Sequence, residues 1–317
     1  MADSNLSAPL AALRGAVPPA PVWFRDALAC APERSLVGVA GAGVETLAWG
    51  ERGSPGLLLT HGNGAHADWY SFIAPLLARG RRVVAMSWSG MGGSEWRPAY
   101  SLDLYVEEAF AVARSAGLFD ADVAPVFAGH SFGAFPLMAC AGRAGEQLGA
   151  VVLMDAPLLS REQRAARRAR RGPSRPHTRP ARFYPTLEDA LSRFRFMPEQ
   201  RCEHLFIADH VARGSLRPVP APDGQGSGWT WRFDPSLWSR YTSTDLADEL
   251  PFARCPVAIL YGARSGLVDA SVVEYMRGLL PGEAPVVRVP DADHHVMIDQ
   301  PLATVAALDG LLAGWPG

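Results

Sequence analysis

The chain contains no lysine, so arginine supplies every side-chain cation: 30 against 32 acidic residues, for a formal net charge of -2. So complete an absence looks like a codon-composition bias, and no function is drawn from it. Near-neutrality excludes a global field that would gather nucleic acid or an anionic membrane surface. Cysteine is scarce too. Cys30, Cys140, Cys202 and Cys255 stand far apart with no C-x-x-C pair, which argues against a zinc ribbon or a disulfide framework and suits a reducing compartment. No apolar run approaches the ~20 residues that span a bilayer. Met1-Ala2-Asp3-Ser4 does not open a basic stretch followed by an apolar one, so the expected location is the cytoplasm.

What remains is an ordinary globular composition: 317 residues, 48% hydrophobic and 20% charged, ample for a large core. Residues 1–34 read as a lead-in, rich in Pro and Ala up to 21 and without a period. Short apolar runs then alternate with amphipathic stretches. The pattern predicts a hairpin of 35–39 and 44–49, strands at 56–60, 82–87, 123–129 and 149–154, and helices at 68–79, 101–117 and 131–143. It resumes with a strand at 256–261, a helix at 270–280, a strand at 285–289 and a closing helix at 301–314. Val151-Val152-Leu153-Met154 is apolar at every position, as in a strand covered on both faces. The expected fold is α/β, a mostly parallel doubly wound sheet of about eight strands, built from 35–156 and 251–317. Between them, 157–250 turns arginine-dense and then rich in Pro, Gly and Trp, and reads as an inserted, mainly helical cap.

The strongest chemical signal is Gly129-His130-Ser131-Phe132-Gly133, where a buried strand runs into a helix. A nucleophile on so sharp a turn needs a strained backbone, and flanking glycines let neighbouring segments pass without a side-chain clash. The helix N-terminus beneath Ser131 favours developing negative charge. Upstream, Leu57-Leu58-Leu59-Thr60 ends in His61-Gly62-Asn63-Gly64, a turn able to present backbone N–H groups. Acyl transfer needs two donors converging on the carbonyl oxygen, which nominates Phe132 and Asn63 as the oxyanion pair. Serine also needs a base, and in the loop Asp291-Ala292-Asp293-His294-His295 either imidazole can serve.

Together with Trp88-Ser89-Gly90-Met91-Gly92-Gly93-Ser94, these stretches make the chain, over roughly 35–317, resemble the α/β-hydrolase family. It is similar to the capped serine hydrolases that cleave esters, lactones and carbon–carbon bonds. The resemblance implies that the catalytic histidine lies seven residues before a proline, here Pro301, which selects His294 and leaves His295 to pack or to face the pocket. It also implies an acid three residues beyond Gly262, but Ser265 stands there. Some relatives carry the acid at the end of the strand beside the nucleophile strand, which ranks Asp155 first and Asp269 second, with Asp293 and Asp299 weaker.

Several bland readings compete. A metal site on His294, His295, Asp291, Asp293 and Asp299 is disfavoured, because neighbours on one loop rarely point the same way and no second histidine cluster completes a site. Arg161, Arg164, Arg167, Arg168, Arg170 and Arg171 suit a solvated helix face better than an anion site. Phe183, Tyr184, Phe194, Phe196, Phe206, Trp229, Trp231 and Trp238 form either the cap's own core or a pocket wall. The expectation is a hydrolase of an ester, thioester, lactone or similar activated carbonyl of a small molecule, with no cofactor, metal, nucleic acid or membrane partner. Homo-oligomerisation is left open. The alternatives are acyl transfer to another acceptor, or a non-catalytic small-molecule-binding protein on the same scaffold.

Overall fold

In the computed structural model, residues 8–171 and 181–315 are described. Eight strands form one sheet: β1 (Glu33–Val39), β2 (Ala42–Trp49), β3 (Gly56–Thr60), β4 (Arg82–Met86), β5 (Val126–His130), β6 (Ala150–Met154), β7 (Val257–Gly262) and β8 (Val286–Val289). Their order is β1-β2-β4-β3-β5-β6-β7-β8. β2 runs antiparallel to β1 and β4, and every other pairing is parallel. β3 to β6 are buried along their whole length, which is why they are apolar without alternation. The helices of eight or more residues are α1 (Val22–Ala29), α2 (Leu102–Ser115), α3 (Ala134–Ala144), α4 (Arg161–Arg171), α5 (Leu205–Gly214), α6 (Ala270–Leu279) and α7 (Pro301–Gly314). Among the described residues no helix is long and apolar enough to cross a membrane.

Topology fixes where a ligand can enter. The chain leaves β3 for β4 on one side and returns to place β5 on the other, so the loops after β3 and β5 part above the sheet. A crevice at the carboxyl ends of the strands is the usual consequence of such a switch.

Three local differences from the sequence reading have physical causes. The helix expected at 68–79 is broken into a short 3-10 turn, Ala67–Trp69, and a single helical turn, Ala74–Leu77. Pro75 lacks an amide proton and fits only the first turn of a helix, so none can run through it. The lead-in is not loose from residue 8 onward, because Leu10 and Phe24 enter the main hydrophobic cluster. Phe24 on α1 meets Phe206 on α5 edge-on at 4.9 Å, and such a T-shaped pair adds to what area burial alone supplies. The segment 157–250 contains α4, α5 and a short helix, Leu187–Leu191, but also an antiparallel hairpin, Leu216–Pro220 with Ser227–Trp231. Trp229 and Trp231 alternate with Thr230 there, the period-2 pattern that a count of Pro, Gly and Trp does not reveal.

Candidate active site

β5 carries the chain into a tight turn at Ser131, whose φ of +52° lies in the left-handed region. For a residue with a Cβ that costs roughly 1–2 kcal/mol, and such strain persists only where the surroundings over-determine it. Here they do. A methyl on Gly133 would sit 2.5 Å from the His61 carbonyl oxygen, and one on Gly129 2.6 Å from the Gly133 carbonyl oxygen. The elbow is therefore wedged against the end of β3 with no room for a side chain. Gly133→Ala is expected to cost about 1–3 kcal/mol, since rigid backbone rather than a flexible side chain must yield; a urea titration beside the wild type measures it.

Ser131 Oγ lies 2.9 Å from His294 Nε2, and His294 Nδ1 lies 2.7 Å from Asp155 Oδ1. A carboxylate only accepts, so Nδ1 carries the proton and Nε2 is free to accept from the serine hydroxyl. Asp155 follows β6 directly, is fully buried, and also takes a positive φ, +46°. It accepts two further bonds: Oδ2 takes the Gly262 N–H at 2.8 Å, and Oδ1 takes the Ser265 hydroxyl at 2.7 Å. Position 265, where the resemblance implies a carboxylate, thus holds a donor that serves the carboxylate of Asp155. An Asp at 265 would face Asp155 as a second anion.

Asp269 is elsewhere engaged. Its Oδ1 accepts the N–H groups of Ser271 and Val272 at 2.9 and 3.0 Å and caps α6, the ordinary occupation of an Asp at a helix start. Asp299 takes the Asp293 N–H and the Gln200 amide, and burial lifts its carboxyl to about 7. Asp291 is exposed beside Arg264. None of these three aspartates converges with the histidines. Among the described residues the one converging set of metal-ligand type is His130, His294 and His295, with ligand atoms within 4.8 Å. His294 is already bonded through both ring nitrogens and His130 Nε2 donates to the His294 carbonyl at 2.9 Å. A cation there would have to break either the Ser131 or the Asp155 contact of His294.

The loop after β3 presses on the elbow: a methyl on Gly62 would come within 3.1 Å of Ser131 Cβ. Asn63, one residue on, accepts a hydrogen bond from Trp238 Nε1 through its side-chain oxygen. Phe132 packs edge-on against Trp238 at 5.0 Å. His61 braces the loop, since its Nδ1–H donates to the Gly62 carbonyl while Nε2 accepts the Trp88 N–H at 3.1 Å. Burial holds that imidazole neutral, down to about 3.

A cavity of about 460 Å³ lies between the loop ends and the 157–250 segment, within the usual range for small-molecule sites. Asn63, Gly64, Trp69 and His295 form its wall on the sheet side, and Phe194, Trp231 and Trp238 that on the inserted side. Ser131 and His294 stand beside this space rather than on its wall. His295, whose ring is centred 4.8 Å from that of His294, connects the two. The aromatic residues divide accordingly: Phe196 and Tyr184 are buried in the main cluster, while Trp229 and Phe206 pack against it half-buried. The arginines of α4 make structural contacts where described: Arg164 pairs with Asp245, and Arg167 donates to the carbonyls of Gly266 and Leu267.

The sequence reading missed Gly262, Ser265 and His130 as supports of the site. Only Ser265 left a signal, as the residue standing where an acid was expected.

A parallel sheet with a serine on a strained strand-to-helix turn, facing a late-loop imidazole, defines the class of α/β hydrolases. Residues 57–308 match the alpha/beta hydrolase family, and the chain belongs to that family. The 2-hydroxymuconate semialdehyde hydrolase of Pseudomonas sp. (strain CF600) is 37% identical over 105 residues, 31% of this chain. That match spans about a third of the relative, 35% of its length. Among solved structures, an E-2-(acetamidomethylene)succinate hydrolase superposes with a TM-score of 0.70 at 20% identity, covering 89% of this chain and 100% of that one. A thioesterase domain from the curacin biosynthetic pathway gives 0.68 at 21%, covering 89% and 99%. An esterase from Mycobacterium tuberculosis gives 0.67 at 21%, covering 96% of each. At such identities these structures establish a shared fold, and the family and its relatives are those of hydrolases.

Proposed function

We propose that the protein is a serine hydrolase acting on an ester, thioester, lactone or similarly activated carbonyl, with 157–250 as a cap over the site. The observation that carries this reading is the unbroken chain of hydrogen bonds from Ser131 Oγ through His294 to Asp155, at 2.9 and 2.7 Å. Ser131 Oγ attacks the carbonyl carbon as His294 Nε2 takes its proton, and Asp155 stabilises the imidazolium that forms. The tetrahedral oxyanion is held by the backbone N–H groups of Phe132 and Asn63. Collapse expels the alcohol or thiol, which receives the proton from Nε2. Water then enters by the same route and releases the acid, restoring the serine.

The names of the similar proteins, a semialdehyde hydrolase, a thioesterase and an esterase, agree with attack on a carbonyl. The test is a fluorophosphonate probe followed by a 4-nitrophenyl ester panel. Wild type is expected to be labelled at Ser131 and to turn over an ester, while Ser131→Ala does neither. Absence of labelling in folded wild type, or equal labelling of His294→Ala, would favour a ligand-binding protein on this scaffold. Acyl transfer would appear as ester consumption that depends on an added alcohol or amine.

A further inference from the structure

Trp69 Nε1 and both ring nitrogens of His295 are buried without a hydrogen-bond partner. The Met197 carbonyl approaches the imidazole but makes no bond of normal geometry. The two rings adjoin, centroids 5.3 Å apart, on the wall of the cavity beside Ser131. Buried polar groups are nearly always paired, so a pair of orphans facing one space indicates that a ligand supplies the partner.

The same cavity is lined by Arg182, Arg193, Arg195 and Arg232 and, among the described residues, by no acidic one. Arg232 shares Glu45 at 3.8 Å. Arg195 donates only to the neighbouring Phe194 carbonyl, and none of Arg182, Arg193 and Arg195 has a carboxylate within 4.0 Å among the described residues. Residues 172–180, which lead into Arg182, include no acid either. Three guanidinium groups around one apolar pocket with no carboxylate partner among the described residues are a surplus of positive charge that no acid of the fold neutralises. Arginine is the side chain best suited to grip a planar carboxylate.

We infer that the cavity selects an acyl substrate ending in a carboxylate, a half-ester or half-thioester of a dicarboxylic acid, with Arg193 and Arg195 holding the anion and Trp69 and His295 bonding an acceptor nearer the carbonyl. The orientation follows from the placement: His295 adjoins His294, whereas Arg182 and Arg193 on the same cavity are exposed to solvent. The inference rests on the hydrolase reading for its chemistry but not for its binding.

Two measurements separate them. In Ser131→Ala protein, calorimetry is expected to find 4-phenylbutyrate bound at least about tenfold more tightly than 4-phenylbutanamide, the worth of a charge-assisted pair. Adding Arg193→Met and Arg195→Met should erase that preference, with an unchanged thermal melt as the control for folding. Equal affinities, no binding of either compound, or a preference that survives the arginine changes overturns the inference. In wild type, kcat/KM for mono-4-nitrophenyl glutarate should exceed that for 4-nitrophenyl butyrate by a similar factor, and the ratio should fall toward one in the Arg193→Met/Arg195→Met variant. If no ester is turned over and the fluorophosphonate does not label Ser131, the hydrolase reading fails, and the calorimetry still decides the anion site.

Discussion

Asp155→Asn is expected to lower turnover by about four orders of magnitude with little change in folding, because the Gly262 amide dictates how the new side chain must sit. That N–H can only donate, and it meets Oδ2 at 2.8 Å. The amide oxygen of an asparagine must therefore turn toward Gly262, which points its NH2 group at His294 Nδ1. The imidazole is then driven into the tautomer with its proton on Nε2, facing Ser131 Oγ, where it can no longer accept the serine proton. Asp269→Asn is the matching control: asparagine caps a helix about as well as aspartate, so α6 and turnover should both change little. Steady-state kinetics on the two variants decide it. A large loss in Asp269→Asn with near-normal Asp155→Asn would reassign the acid.

The second large effect is acid lability. His61, His66, His130, His210 and His295 are all held below the ordinary imidazole range, in each case chiefly by burial. In the unfolded chain they take up protons near pH 6.5, while in the fold they stay neutral to lower pH. Below 6.5 the unfolded state binds more protons, so stability is lost as pH falls, at up to about 1.4 kcal/mol per unit for each imidazole. Asp299 works in the opposite sense. Its carboxyl, raised to about 7, withdraws stability as pH rises from about 4 to about 7, and burial raises Glu108 and Asp293 in the same direction, three groups against five. Against a total stability of about 5–15 kcal/mol, the five histidines leave a net loss of stability as pH falls below 6.5, so unfolding is expected in mildly acid solution. Urea midpoints at pH 7.5, 6.5 and 5.5 should fall; a midpoint constant over that interval would mean that the histidines titrate in the fold as they do in the unfolded chain.

Much of this site was legible in the residues because its parts are local. Gly129 to Gly133 announces itself by the coincidence of a buried strand, two glycines and a helix, and each glycine is required by a backbone contact near 2.5 Å. The late-loop pair His294-His295 is legible as a base, since imidazole titrates where serine chemistry needs it. The break at Pro75 was legible too, but the apolar period around it suggested one continuous helix. What pairs across the fold was not. That Asp155 meets His294, that Ser265 supports the carboxylate instead of supplying one, and that Asp269 caps α6 depend on loops after three different strands.

The sequence by itself determined the class: a parallel sheet, because its strands are apolar on both faces, and a serine elbow, because strand, turn and helix chemistry are written in consecutive residues. Only the tertiary structure decided which carboxylate meets His294, which side chains wall the cavity, and that Arg182, Arg193 and Arg195 on it lack acidic partners among the described residues. Local backbone preference acts over a few residues and can be read along the chain. Hydrogen bonds spanning 107 to 163 residues, such as those that tie Gly262 to Asp155 and Ser131 to His294, exist only once the sheet has brought its strand ends together.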